Sequence, residues 1–71
     1  MTTISSGAIK VVEVIGISEK SFDDAVSQAV EKASKSIKGI SGVEVVKHSA
    51  KVDNGKIIQY KADVKLAFAV E

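Results

Sequence analysis

The stretch that decides the fold runs from Val43 to Val70 and reads VEVVKHSAKVDNGKIIQYKADVKLAFAV. Two runs rich in Val and Ile flank Asp53-Asn54-Gly55-Lys56. Asn-Gly is the strongest two-residue signal for a type I′ hairpin turn, because both central positions need a positive φ. The second run alternates. Ile58, Tyr60, Ala62, Val64, Leu66, Phe68 and Val70 fall on one face, and Gln59, Lys61, Asp63 and Lys65 on the other. Closing the loop at Asn54-Gly55 pairs Asp53 with Lys56 and Val52 with Ile57. Counting on from there sets Val45 opposite Val64 and Val43 opposite Leu66 as a core face. The reverse face then has Glu44 opposite Lys65 and His48 opposite Lys61. A slip of one residue would send Val43 and Val45 to the polar side, so the apolar pattern holds the register.

Upstream, Ile9 to Ile15 reads as a strand stopped by Gly16. A helix is predicted from Phe22 to Lys38. Its apolar residues Phe22, Ala25, Val26, Ala29, Val30, Ala33 and Ile37 recur in steps of three and four, and Ile40 continues the stripe. Ser21 with Asp24 resembles a capping box. Asp23 and Asp24 stand at the positive end of the helix dipole, and Lys32, Lys35 and Lys38 at the negative end. Gly39 supplies a left-handed stop, against which Ile40 can fold back in a Schellman contact. The fold class is therefore α+β: a β-α-β-β chain whose three-stranded antiparallel sheet has the order 1-3-2 and packs on one helix. The crossover is expected to be right-handed.

Lengths then constrain the assembly. The predicted helix covers about 25 Å, whereas the last strand extends about 45 Å. One helix cannot shelter such a hairpin. The reverse face also carries Val46, Val52, Ile57, Ala67 and Ala69, too apolar a set for a wet surface, and these read as subunit contacts. Size points the same way. A chain of 71 residues buries only about 60% of the surface it exposes when unfolded. Disulfides, a structural metal or self-association are the usual supplements. Cysteine is absent and His48 is the single histidine, which excludes a disulfide and a Cys/His zinc site. Association remains.

Composition bounds the function further. Hydrophobic residues at 45% and charged ones at 27% are ordinary for a globular protein, and no apolar run is long enough to span a bilayer. Residues 1–7 read as a loose polar tail before a single domain. They have neither the basic start nor the apolar centre of a signal peptide, so the expected location is cytoplasmic. All ten basic residues are lysine. Without arginine the bidentate forks that favour phosphate and guanine are missing, so nucleic acid is not an expected partner, nor is a membrane.

The run Lys10-Val11-Val12-Glu13-Val14-Ile15-Gly16-Ile17-Ser18 resembles the opening strand of the dodecins, with Ile17 where that family has Thr. The helix starting near Phe22, Glu44-Val45, the Gly55 turn, Tyr60 and Phe68 follow in the family's order and spacing, so the resemblance spans roughly Lys10 to Val70. It implies a hollow homododecamer of cubic symmetry that binds and stores a small molecule. In flavin-binding members riboflavin or its nucleotide forms lie between subunits, stacked on a tryptophan and hydrogen-bonded by a glutamine. On this mapping the ligand face comprises Gly42, Glu44 and Lys61, with Gly42 at the tryptophan position and Lys61 at the glutamine position. Aromatic stacking is worth about 1–3 kcal/mol per ring by analogy with nucleobases, and a lysine offers only donors. Flavin binding (FMN or riboflavin) is therefore weakened. The alternative is a structural shell whose sites are empty or hold calcium, a ligand linked to other dodecin-like proteins without this pair.

No residue reads as catalytic, and the chain is not expected to be an enzyme. His48 has no second histidine or cysteine near it and reads as a solvated or interface residue. Glu13, Glu44 and Asp63 read first as ion-pairing residues, although a symmetry axis could multiply a carboxylate into a calcium site. Ser18 and Ser21 are helix-capping residues, since no base stands ready to activate them.

Overall fold

The computed structural model describes residues 6–70, so most of the tail expected over residues 1–7 lies outside them. Strand β1 (Ala8–Ser18) leads into helix α1 (Phe22–Ser34), followed by β2 (Ile40–Asp53) and β3 (Lys56–Val70). The sheet order is β1-β3-β2, antiparallel throughout, with the longest strand in the middle. The predicted fold class and topology are therefore the observed ones.

The core is small. Ala25 and Ala29 of α1 press on Ala62, Val64 and Leu66 of β3, all essentially inaccessible, with Val12, Val14, Val26, Val30, Ala33 and Ile40 packed around them. The alternation of β3 thus holds where it matters most. Small residues on the helix allow a close approach, and Gly16 completes it. A Cβ built on Gly16 would lie 1.9 Å from the Ala25 carbonyl oxygen and 2.9 Å from the Ala29 Cβ. Gly16 therefore does not stop the first strand, as the sequence had implied. It pairs with Ala62 inside the ladder, and β1 runs on to Ser18. The glycine is there because the helix backbone rests on it.

The turn from β1 into α1 is held by two serine hydroxyls. Ser21 Oγ accepts from the Asp24 N–H at 3.0 Å, as a capping residue should. The Asp24 carboxylate does not reach back to the Ser21 N–H. It accepts from Ser18 Oγ at 2.6 Å. Ser18 Oγ in turn accepts from the Lys20 N–H at 2.9 Å and the Ser21 N–H at 3.4 Å. Ser18 is buried, and it fixes the corner that delivers the helix onto Gly16.

The helix ends four residues earlier than predicted, at Ser34 instead of Lys38. Its last turn tightens through Lys35 N–H to Lys32 O and Ser36 N–H to Ala33 O, the three-residue spacing common at helix ends. The left-handed residue expected at Gly39 is present, with φ of 75°. Standing beyond the helix, it turns the chain into β2 and does not cap α1.

The hairpin register needs a finer correction. Asp53 pairs with Lys56, Val52 with Ile57, Val45 with Val64, Val43 with Leu66 and Glu44 with Lys65, all as counted from the turn. Between Lys47 and Lys51, however, the pairing is offset by one. Bulges interrupt the ladder between Lys51 and Val52 and again between Val45 and Lys47. The first adds a residue to β3 and the second adds one to β2, so their offsets cancel. His48 consequently lies opposite Ala62, not Lys61. It shares the helix side of the sheet and stacks on Phe22, with ring centroids 4.6 Å apart, while Tyr60 meets Phe22 edge-on at 4.9 Å. The reverse-face placement of His48 was wrong because a count from the turn cannot detect two compensating bulges.

The molecule measures 50 × 20 × 16 Å. Helix α1, with 13 residues, covers about 20 Å of that length. Val52, Ile57 and Ile58 beyond it stay largely exposed, and Val43 and Val45 on the helix side are themselves only half covered.

Gly16→Ala should lower stability by about 1–3 kcal/mol or more, because the helix must lift. That is a fall in melting temperature of roughly 4–8 °C per kcal/mol. Gly42→Ala should leave the melting temperature unchanged, since its Cβ would meet only the Ala67 Cβ at 3.6 Å. Thermal melts followed by circular dichroism compare the two directly.

Candidate functional site

The side of the sheet turned away from α1 is open. Alternation along β1 brings Ile9, Val11, Glu13, Ile15 and Ile17 to it, because Val12, Val14, Gly16 and Ser18 are the residues turned inward. Their partners on β3 are Ala69, Ala67, Lys65, Asp63 and Lys61. From β2 come Gly42, Glu44, Lys47 and Ser49, opposite Ala67, Lys65, Asp63 and Lys61. Cross-strand partners share a face, so the register alone assembles this surface. Ile9, Ile15 and Ile17 are each more than half exposed.

A shallow groove of about 490 Å³ crosses this face, lined by Val11, Gly42, Val43, Glu44, Lys65 and Ala67. Two of the three residues predicted for ligand contact, Gly42 and Glu44, meet here. Lys61 does not. It lies on the same face opposite Ile17 and Ser49, about 13 Å along β3 from Lys65 at 3.3 Å per residue. Within one chain Lys61 and the groove are separate features. Lys65 and Ala67 already share this face with Glu44 and Gly42 through the hairpin register. Val11 was not foreseen as a lining residue, because it arrives only through the pairing of β1 with β3.

The groove contains no aromatic side chain, so nothing in it can stack on a flavin ring. Its walls are aliphatic, and its charged groups are the directly paired Glu44 and Lys65. No group of three or more His, Cys, Asp or Glu converges among the described residues. Calcium takes six to eight oxygen ligands, more than these residues of one chain bring together.

A second feature lies beside the groove. Glu13 pairs with Lys65, and Asp63 lies one same-face position further along β3, opposite Ile15 and Lys47. Asp63 Oδ1 is shut off from solvent and receives no hydrogen bond from the described residues. The Glu13 carboxyl is held above the ordinary glutamate value of 4.5, first by a hydrogen bond shared with Asp63, then by the Asp63 charge and by partial desolvation. Lys65 and Lys47 oppose the shift without cancelling it. Asp63 therefore favours the protonated form of Glu13.

The family model for dodecin matches residues 8–71. The chain belongs to the dodecin family. The calcium dodecin of Mycobacterium tuberculosis is 30% identical over 59 residues, covering 83% of each chain. Among solved structures, dodecin from Streptomyces coelicolor superposes with a TM-score of 0.90 at 29% identity, covering 96% of this chain and 97% of that one. The M. tuberculosis calcium dodecin, a calcium-chelating antigen with a novel calcium-binding site, superposes with a TM-score of 0.79 at 30% identity, covering 92% and 93%. The topology read from the sequence is thus the dodecin topology, and the match begins where β1 begins.

The shared proton has a sign that can be measured. A carboxyl whose value is raised on folding adds stability that is full below about 4.5, the unfolded glutamate value, and is lost as pH rises through the folded value. Asp63→Asn should bring the Glu13 midpoint back down in a carboxyl carbon NMR titration and flatten that part of the stability profile.

Proposed function

We propose that this chain is a non-catalytic, ligand-holding shell protein. Copies associate through the open sheet face and the overhanging hairpin into a closed homo-oligomer, the dodecamer implied by its family. The groove around Gly42 and Glu44, completed by a neighbouring copy, holds a small molecule. The observation that carries this reading is the mismatch between a helix of about 20 Å and a molecule 50 Å long. Burying apolar surface is worth about 25 cal/mol per Å². Exposed Ile9, Val11, Ile15, Ile17, Val52 and Ile57 therefore favour association, and a core of five fully buried residues leaves the isolated chain in need of it. Both extra surfaces serve: the groove lies on the open face, and Val43 and Val45 extend the apolar area around the edge of β2.

The aliphatic groove does not favour flavin, whereas the M. tuberculosis relative supports calcium as a second occupant of such an assembly. In that reading the oxygen ligands come from several copies around a symmetry axis, since one chain does not bring enough of them together. Nucleic acid is disfavoured for the reason its lysines gave: there are charges for phosphate but no guanidinium forks.

Native mass spectrometry should find a species near 90 kDa, twelve times the 7.5 kDa chain. A folded particle of 7.5 kDa at micromolar concentration would remove both the shell and the shared pocket. Riboflavin fluorescence should not be quenched by the wild-type protein at micromolar concentration. The double variant Gly42→Trp/Lys61→Gln should gain quenching, because the space over Ala67 admits a side chain at position 42. An affinity gain of about tenfold or more is expected from one restored stacking contact. Calcium that raises the wild-type melting temperature, with riboflavin having no effect, would assign the site to the metal.

A further inference from the structure

Two neighbouring carboxyls would be ordinary on a wet surface, but this pair lies beside the aliphatic margin that β1 gives to the open face. Ile15 is the direct partner of Asp63, Ile17 is the next same-face residue on β1 and Val11 is the same-face neighbour of Glu13, each at least half exposed in the single chain. Asp63 Oδ1 is already cut off from water before any second chain arrives. Resting on the association proposed above, we propose that the Glu13–Asp63 pair is a proton-operated latch on that association: copies dock on the open face with one proton held between the two carboxyls, and loss of that proton loosens the assembly.

The charged groups facing the pair are few. Lys65 of β3 stands opposite both Glu13 and Glu44, and Lys47 of β2 stands opposite Asp63. Lys61 is the next same-face residue along β3, opposite Ile17 and Ser49. Both Lys65 and Lys47 favour the ionised pair, yet Glu44 also draws on Lys65, and the Glu13 carboxyl remains raised despite the two cations. Docking a second apolar face over the pair removes water from both carboxyls, which penalises two charges far more than one. The protonated form is then the one the interface accepts. Asp63 Oδ1 is an acceptor without a donor among the described residues, and a protonated Glu13 carboxyl beside it carries the hydroxyl that can supply one.

The linkage follows from proton counting. If docked copies hold a proton that separated copies release, the association constant falls as pH rises, by about tenfold per pH unit for each proton coupled. His48 does not face the pair, because it lies on the helix side against Phe22.

The test is sedimentation velocity and native mass spectrometry of the full chain from about pH 4.5 to 9, in the presence of a metal chelator, starting from the ordinary glutamate value above which a raised carboxyl loses its proton. Wild type is compared with Asp63→Asn and Glu13→Gln, and circular dichroism checks each sample for folding. The wild-type assembly should weaken by at least about tenfold in association constant across the range, the effect of one coupled proton. Either amide variant should hold together with little pH dependence, because an amide supplies the hydrogen bond without a second charge. The same pH dependence in wild type and both variants would overturn the latch while leaving the association intact. Assembly of wild type that does not change with pH would overturn it equally. Folded monomers at every pH in all three proteins would instead overturn the association, and the latch with it.

Discussion

The contact between the helix backbone and Gly16 sets the terms for everything else. With the Ala25 carbonyl where a side chain would have to be, α1 is drawn closer to the sheet than any larger residue would permit. Ala25 and Ala29 then bury completely against β3. A helix seated so low and fixed at its start by Ser18 cannot slide to cover more of the hairpin. The core is tight and short, and the apolar remainder of the sheet is left for other surfaces. Self-association is thus a consequence of how the helix is docked, rather than an addition to an otherwise finished domain.

Much of this was legible in the sequence because local signals agreed with one another. The Asn54-Gly55 turn, the strict alternation from Ala62 to Leu66 and the three-and-four spacing from Ala25 to Ala33 each pointed to the observed element, and together they left few topologies. What escaped the reading was of another kind. Gly16 looked like a strand terminator because a glycine needed for close approach is indistinguishable, in one dimension, from one that ends a strand. Helix α1 ended early because the sequence shows where apolar residues recur, but not where the last turn will tighten. The two bulges cancelled, so the pairing matched the count at Asp53 and Val52 and again from Val45 to Val43, while His48 between them changed sides.

The candidate site was legible to a lesser degree for a definite reason. Gly42 and Glu44 could be placed on one face from the hairpin alone. Val11 and Glu13 reach that face only through the pairing of β1 with β3, which joins the two ends of the chain. Short-range pattern carries no register for such a pairing. The proximity of Glu13 to Asp63 therefore had to be seen in three dimensions, although each residue was visible as an acid inside an otherwise aliphatic strand.

The paired bulges have a result for the shape of the open face that extends beyond one histidine. By displacing the middle of β2, they turn Lys47, Ser49 and Lys51 toward the side where β1 shows Ile15 and Ile17. The surface is consequently greasy along one margin and cationic along the other. A patch graded in this way has a left and a right. Two such patches brought together about a dyad match oil with oil only when the axis runs near the β1 margin, and an axis near β2 would set lysine against lysine. The irregularity in the ladder thereby gives a flat sheet a sense of direction.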